Sequence, residues 1–123
     1  MYTLDTNAVI YFLSGDDKCV ALISRAFTKR ETVYVPSIVR LELLSKSDLS
    51  VEEYLSVSEF LRQVRIIDLD NRVADLGADI RRVYGLKTPD AVIAATAIYT
   101  NSILLTRNTK DFKKVKELKT DKV

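Results

Sequence analysis

The sequence predicts an α/β fold built around a parallel sheet. Short β-branched runs alternate with stretches of helical period along the whole chain. Strands separated by helices pair in parallel through right-handed crossovers. Size sets the third constraint: 123 residues, 47% hydrophobic and 29% charged, suit one domain over residues 1–123 with a core of its own. With 3 Gly, 2 Pro and no repeat, neither a linker nor a disordered arm is expected.

Tyr2 to Leu4 reads as the first strand, and Asn7 to Leu13 as a short helix entered through Thr6 or Asn7 as its cap. Cys19 to Phe27 places apolar residues at the spacing of one buried helix face. Thr32 to Val35 is a strand ended by Pro36, and Ser37 is placed to cap a helix through Leu44 in which Glu42 is embedded. Ser50 and Glu53 form a capping box for the next helix. Val64 to Leu69 reads as a third strand. Asp70 then caps a helix stopped by Gly85. Thr88 opens a further helix with Pro89 in its first turn, and Ala91 to Tyr99 is apolar nearly all round, so this helix is expected to be buried. Ser102 to Leu105 is the fourth strand, with a short edge strand expected around Leu118.

Composition excludes several chemistries. There is no histidine, which removes His-based triads and His-ligated zinc. The single cysteine, Cys19, cannot form an internal disulfide and reads as a buried bystander on its helix. Charges interrupt every apolar stretch short of the roughly 18 residues that a membrane span needs. The amino terminus lacks a signal-peptide pattern, so a cytoplasmic protein is expected.

Three acids stand out because each interrupts an apolar context where charge is costly: Asp5, Glu42 and Asp90. Singly, each has a structural explanation as a helix-start or surface carboxylate. With Asp111 they form a set drawn from four distant segments. Asp5 follows strand one and the Thr106 to Asp111 loop follows strand four. In an open α/β sheet both lie at the carboxyl edge, where ligands bind. Clustered carboxylates repel one another unless a cation neutralises them. All-oxygen ligands favour a hard ion, Mg²⁺ or Mn²⁺, completed by water and a substrate phosphate. That equipment suits phosphodiester hydrolysis. The loop after strand four offers both Asn108 and Asp111 as the fourth ligand; the full charge of a carboxylate favours Asp111.

The segments Leu4-Asp5-Thr6-Asn7, Arg40-Leu41-Glu42-Leu43, Leu86 to Ala97 and Leu105 to Phe112 resemble those of PIN domains, in particular the VapC-type ribonuclease toxins. The block Leu86 to Ala97 is its most specific part. The resemblance covers nearly the whole chain. It implies a three-layer α/β/α sandwich around a parallel sheet of four to five strands and Mg²⁺-dependent endoribonuclease activity on RNA. It also implies a cognate antitoxin that blocks the site, and a homodimer. Asp5, Glu42, Asp90 and Asp111 match the family's acidic positions, and Thr6 and Thr106 match its supporting hydroxyls. Arg40, Lys87 and Arg107 flank these acids as candidate contacts for RNA phosphate.

Rival readings fit less well. A haloacid-dehalogenase-like phosphatase needs a second Asp two residues after the first, where this chain has Asn7. A receiver domain needs an acidic pair after strand one, and Asp5 stands alone. A PIN-like RNA-binding or interaction module without turnover is the principal alternative, and the intact acids argue against it. Tyr11, Tyr34, Tyr84 and Tyr99 are candidates for base stacking or for packing, and the lysine-rich tail from Arg107 onward for phosphate contact or a solvated face.

Overall fold

The computed structural model describes residues 1–123. Its sheet holds five parallel strands, β1 (Tyr2–Leu4), β2 (Val33–Pro36), β3 (Arg65–Ile67), β4 (Ile103–Thr106) and β5 (Thr120–Lys122), in the order β3-β2-β1-β4-β5. The helices are α1 (Thr6–Leu13), α2 (Asp17–Thr28), α3 (Ser37–Leu44), α4 (Val51–Gln63), α5 (Asn71–Tyr84), α6 (Thr88–Tyr99) and α7 (Thr109–Phe112). The chain steps outward from β1 to β2 and β3, then returns past β1 to β4 and β5. Strand order therefore reverses between β1 and β4. Right-handed crossovers on either side of that point put helices on both faces of the sheet, giving the expected α/β architecture.

Local chemistry sets most boundaries. The Ser50–Glu53 capping box closes in both directions at the start of α4. Asp70 accepts from Val73 N at 3.0 Å to start α5, and Gly85 ends it in the left-handed region at φ 74°. Three details depart from the sequence expectation. The cap of α1 is Asp5, whose side chain accepts from Ala8 N, and neither Thr6 nor Asn7. Ser37 is the first residue of α3 and does not cap it; its hydroxyl accepts from Leu69 N at 3.2 Å. That bond and the turn Asp70 N to Asp68 O curtail β3, which covers only Arg65–Ile67 of the expected Val64 to Leu69. The edge strand lies at Thr120–Lys122, just beyond Leu118.

The core packs against both sides of the central strands, with Leu4, Val35, Leu104 and Leu105 fully buried. Truncating such a leucine to alanine costs about 2–5 kcal/mol. Helix α6 is buried from Ala91 through Ala97, which explains its lack of a polar face. It lies between the sheet and α5, where Gly77 faces the Ala91 carbonyl and the Ala95 methyl. On the other side Phe12, Phe27 and Phe60 tie α1, α2 and α4 together through tilted and edge-on ring contacts. No helix is long and apolar enough to cross a membrane.

Candidate functional site

Strand order reverses between β1 and β4, and the sequence puts an acid at the carboxyl edge of the sheet there. Asp5 directly follows β1 and is only 7% exposed. Its two oxygens are held separately. Oδ1 accepts from Ala8 N at 2.8 Å, and Oδ2 accepts from the Thr106 hydroxyl, the last residue of β4, at 2.5 Å. Thr106 Oγ1 in turn accepts from Asn108 N at 2.9 Å, so the loop after β4 orients the hydroxyl that orients the acid.

The neighbouring acids arrive from other elements. Glu42 lies on the exposed side of α3, and the Thr6 hydroxyl donates to its Oε1 at 2.6 Å. The residue after Asp5 thus ties a second carboxylate to the same edge. Asp90 occupies the first turn of α6, whose amino-terminal dipole favours a negative charge. Asp111 sits in α7, where Asn108 Nδ2 donates to its Oδ2 at 3.2 Å and the Lys114 ammonium lies 3.9 Å from its Oδ1.

Burial and neighbouring negative charge act on two of the four acids, Asp5 and Asp90. Burial pushes the Asp5 carboxyl up; its bonds to Thr106 and Ala8 pull it partly back, and Glu42 adds repulsion. Asp90 is also raised, first by burial and then by Asp111, Asp5 and Glu42, with Lys87 partly offsetting them. No three of the acids converge into a closed set of metal ligands. Donors of this kind suit a hard cation that keeps water and takes one or two carboxylates directly.

The flanking cations divide. Arg40 and Lys87 are exposed, and Lys87 is the residue from which α6 starts. Arg107 is committed elsewhere. Its guanidinium pairs with Asp16 at 2.8 Å, donates to the Val123 carbonyl at 2.6 Å and stacks 4.0 Å over the Tyr11 ring. This makes it a clamp between α1, α2 and the carboxyl-terminal segment, contrary to the expectation of a phosphate contact. The tyrosines also have internal partners. Tyr11 lies under Arg107 and Tyr99 under Arg72, while the Tyr84 hydroxyl donates to Glu117 and that of Tyr34 to the Met1 sulfur. Cys19 is fully buried, as expected.

Sequence reasoning missed a groove of about 610 Å³ beside Glu42, between α1, α3 and α4, lined by Ile10, Leu13, Leu43, Leu49 and Val57. Ile10, an exposed apolar residue of α1 that lines it, was the signal that could have revealed it.

The fold and the edge define a parallel α/β protein with acids from several elements near the carboxyl edge of its sheet. The PIN domain model matches residues 2–118, and the chain belongs to that family. It is similar to Ribonuclease VapC2 of Rickettsia felis, with 29% identity over 126 residues, 96% of this chain and 94% of the relative. Ribonuclease VapC19 of Mycobacterium tuberculosis is 27% identical over 117 residues, covering 91% of this chain and 92% of the relative. Among solved structures, the crystal structure of VapBC2 from Rickettsia felis bound to a DNA fragment from their promoter superimposes with a TM-score of 0.88. It shares 27% identity and covers 99% of this chain and 98% of that one.

Proposed function

We propose that this chain is an endoribonuclease that hydrolyses RNA phosphodiester bonds with a bound Mg²⁺ or Mn²⁺, and is the toxin of a toxin–antitoxin pair. The observation that carries the reading is Asp5: a nearly buried carboxylate at the strand-order reversal, oriented by two hydrogen bonds and faced by other acids. Family membership and the ribonuclease names of its relatives support the same reaction.

In this reading one or two of Asp5, Glu42, Asp90 and Asp111 would hold the cation directly and the others through its water, and it would supply Lewis acidity toward the phosphate and a water of lowered pKa. The protein's own work is positional. Thr106 and the Ala8 amide hold the Asp5 carboxylate, Thr6 holds Glu42, and Asn108 orients Asp111. Arg40 and Lys87 stand ready for non-bridging phosphate oxygens. The groove beside Glu42, part apolar and part charged through Lys46, Glu52 and Glu53, suits an antitoxin segment that would cover Glu42. Leu41, Val83 and Tyr99 leave exposed apolar area that a second copy would bury in the expected homodimer. The activity belongs in the cytoplasm, where its substrate is.

Incubating purified protein with total RNA tests the proposal. Cleavage is expected with Mg²⁺ or Mn²⁺ and none with EDTA; undiminished cleavage in EDTA defeats the metal assignment. RNA binding that never proceeds to cleavage under any divalent ion would favour a module without turnover. Growth arrest on expression of the chain alone tests the toxin role.

A further inference from the structure

Charge is distributed unevenly along this chain. Residues 107–123 contain seven of the 19 Lys and Arg and three of the 17 Asp and Glu, so this segment carries +4 while residues 1–106 carry −2. Arg107 spends its charge on Asp16. What remains is Lys110, Lys113, Lys114, Lys116, Lys119 and Lys122, all exposed. Only Lys114 comes within 4.0 Å of a carboxylate, at 3.9 Å from Asp111.

These lysines do not sit on a loose tail. Phe112, Val115 and Val123 are buried to 2% exposure or less, and Leu118 packs against the core, so the apolar side chains of the segment point inward and the lysines outward. Turns through Lys113 N to Thr109 O, Val115 N to Phe112 O and Leu118 N to Val115 O lead into β5. The segment leaves the carboxyl edge through α7, which carries Asp111, and descends to Lys119, whose carbonyl accepts from Leu104 N near the start of β4. It then climbs back through β5, where Lys122 is in register with Thr106. The lysines therefore cover one flank of the molecule that begins at the candidate site. Holding like charges on an ordered surface favours a polyanionic partner. Edge-strand protection accounts for Lys122 on β5 and Lys119 just before it but leaves the other four unexplained.

We infer that this lysine flank holds the phosphate backbone of the RNA substrate beyond the bond that is cut. The inference rests on the ribonuclease reading. Acids near the carboxyl edge repel RNA, and with a net negative remainder of the chain the flank is the strongest source of attraction available to the polyanion.

The test is the triple variant Lys113→Glu/Lys116→Glu/Lys119→Glu beside Lys113→Arg/Lys116→Arg/Lys119→Arg. The probes are labelled single-stranded RNAs of about 25 and about 6 nucleotides, the shorter within the footprint of one small site. Anisotropy in EDTA reads binding without turnover; cleavage is read separately with Mg²⁺. The glutamate triple is expected to bind the long RNA at least tenfold more weakly. The slope of log affinity against log salt should shrink by about 2, at roughly 0.7 per lost phosphate contact on a single strand. Cleavage of the short RNA should be unchanged, and the arginine triple should bind the long RNA like the wild type. Unchanged long-RNA affinity and slope overturn the inference, and so does an equal loss on both RNAs with a lowered melting temperature. If the wild type binds but never cuts, the ribonuclease reading fails while the flank is still judged by the binding arm. If it cuts and the glutamate triple binds normally, the flank fails alone.

Discussion

Asp5 and Asp16 are built alike and end in opposite states. Both cap a helix: Ala8 N donates to Asp5 at 2.8 Å, and Cys19 N donates to Asp16 at 3.1 Å. Both receive a second bond from consecutive residues at the end of β4, Asp5 from Thr106 and Asp16 from Arg107. Yet burial holds the Asp5 carboxyl above its ordinary value, whereas the Arg107 guanidinium is the largest cause holding Asp16 below it. The hydroxyl orients its carboxylate without cancelling the charge; the guanidinium cancels it. A carboxylate that is aimed and left uncompensated can take up a cation, and one that is paired is structural.

The largest expected effect follows from exchanging charge at these two positions. Asp5→Asn keeps a capping side chain and removes a buried charge, so its melting temperature in EDTA should be no lower than that of the wild type. Its RNA cleavage should fall by at least about a hundredfold, as befits loss of a metal ligand. Asp16→Asn should reverse the pattern, with lower melting because Arg107 loses its partner, and cleavage within a few-fold of wild type. Measuring both variants for melting and turnover checks the contrast. A structural Asp5 would melt early as the asparagine.

The contrast is only partly legible in the sequence. The capping box at Ser50, the Asp70 cap and the Gly85 stop declare themselves because each is local chemistry within a few residues. Asp5 is legible as an odd acid at a strand end. Its second task as the α1 cap is not, because the pattern offers Thr6 or Asn7 and does not show one side chain serving two ends. Ser37 misleads for the complementary reason: its hydroxyl answers Leu69, far along the chain. Adjacency to Thr106 suggests a phosphate contact for Arg107, while its real partners, Asp16, Tyr11 and Val123, are brought together only by tertiary folding. The groove beside Glu42 is hidden likewise, being made by three helices at once.

The same opposition predicts an unusual pH profile for the metal-free protein. Asp5 and Asp90 have raised folded values, so the folded state binds more protons than the unfolded one above the ordinary carboxylate range. Their stabilisation is full below the unfolded value and is lost as pH rises through the folded ones. Asp16, Glu53 and Asp70 are lowered, so theirs is present above the unfolded value and lost as pH falls through the folded ones. The two windows lie on opposite sides of the ordinary carboxylate value. Melting temperatures in EDTA between about pH 4 and 7 should therefore decline toward neutrality as the two raised carboxyls ionise. Mg²⁺ should offset the decline by binding the folded state, and Asp5→Asn should flatten it. A steady rise over that range, unaltered in Asp5→Asn, would break the assignment of an uncompensated acid.

The smallest expected effect concerns the fourth carboxylate. The helix cap at this point is Asn108, and Asp111 lies within α7, so Asp111 is not spent on capping. Its charge is also the largest electrostatic contribution to the raised Asp90 after burial, which brings it into the same field. Asn108 turns its amide nitrogen toward Asp111 Oδ2 and its backbone N–H toward Thr106, a supporting position between two site residues. A full negative charge attracts a hard cation more strongly than an amide oxygen does. Asp111→Asn should therefore need about tenfold more Mg²⁺ for half-maximal cleavage, at the low end of what an outer partner costs and with melting in EDTA unchanged. Asn108→Ala should shift the requirement by less and leave melting nearly unchanged, because the Asn108 side chain makes no capping bond and only orients Asp111. A Mg²⁺ titration of both variants beside their melting curves separates the two, and a metal requirement that moves only in Asn108→Ala would give the fourth place to the amide.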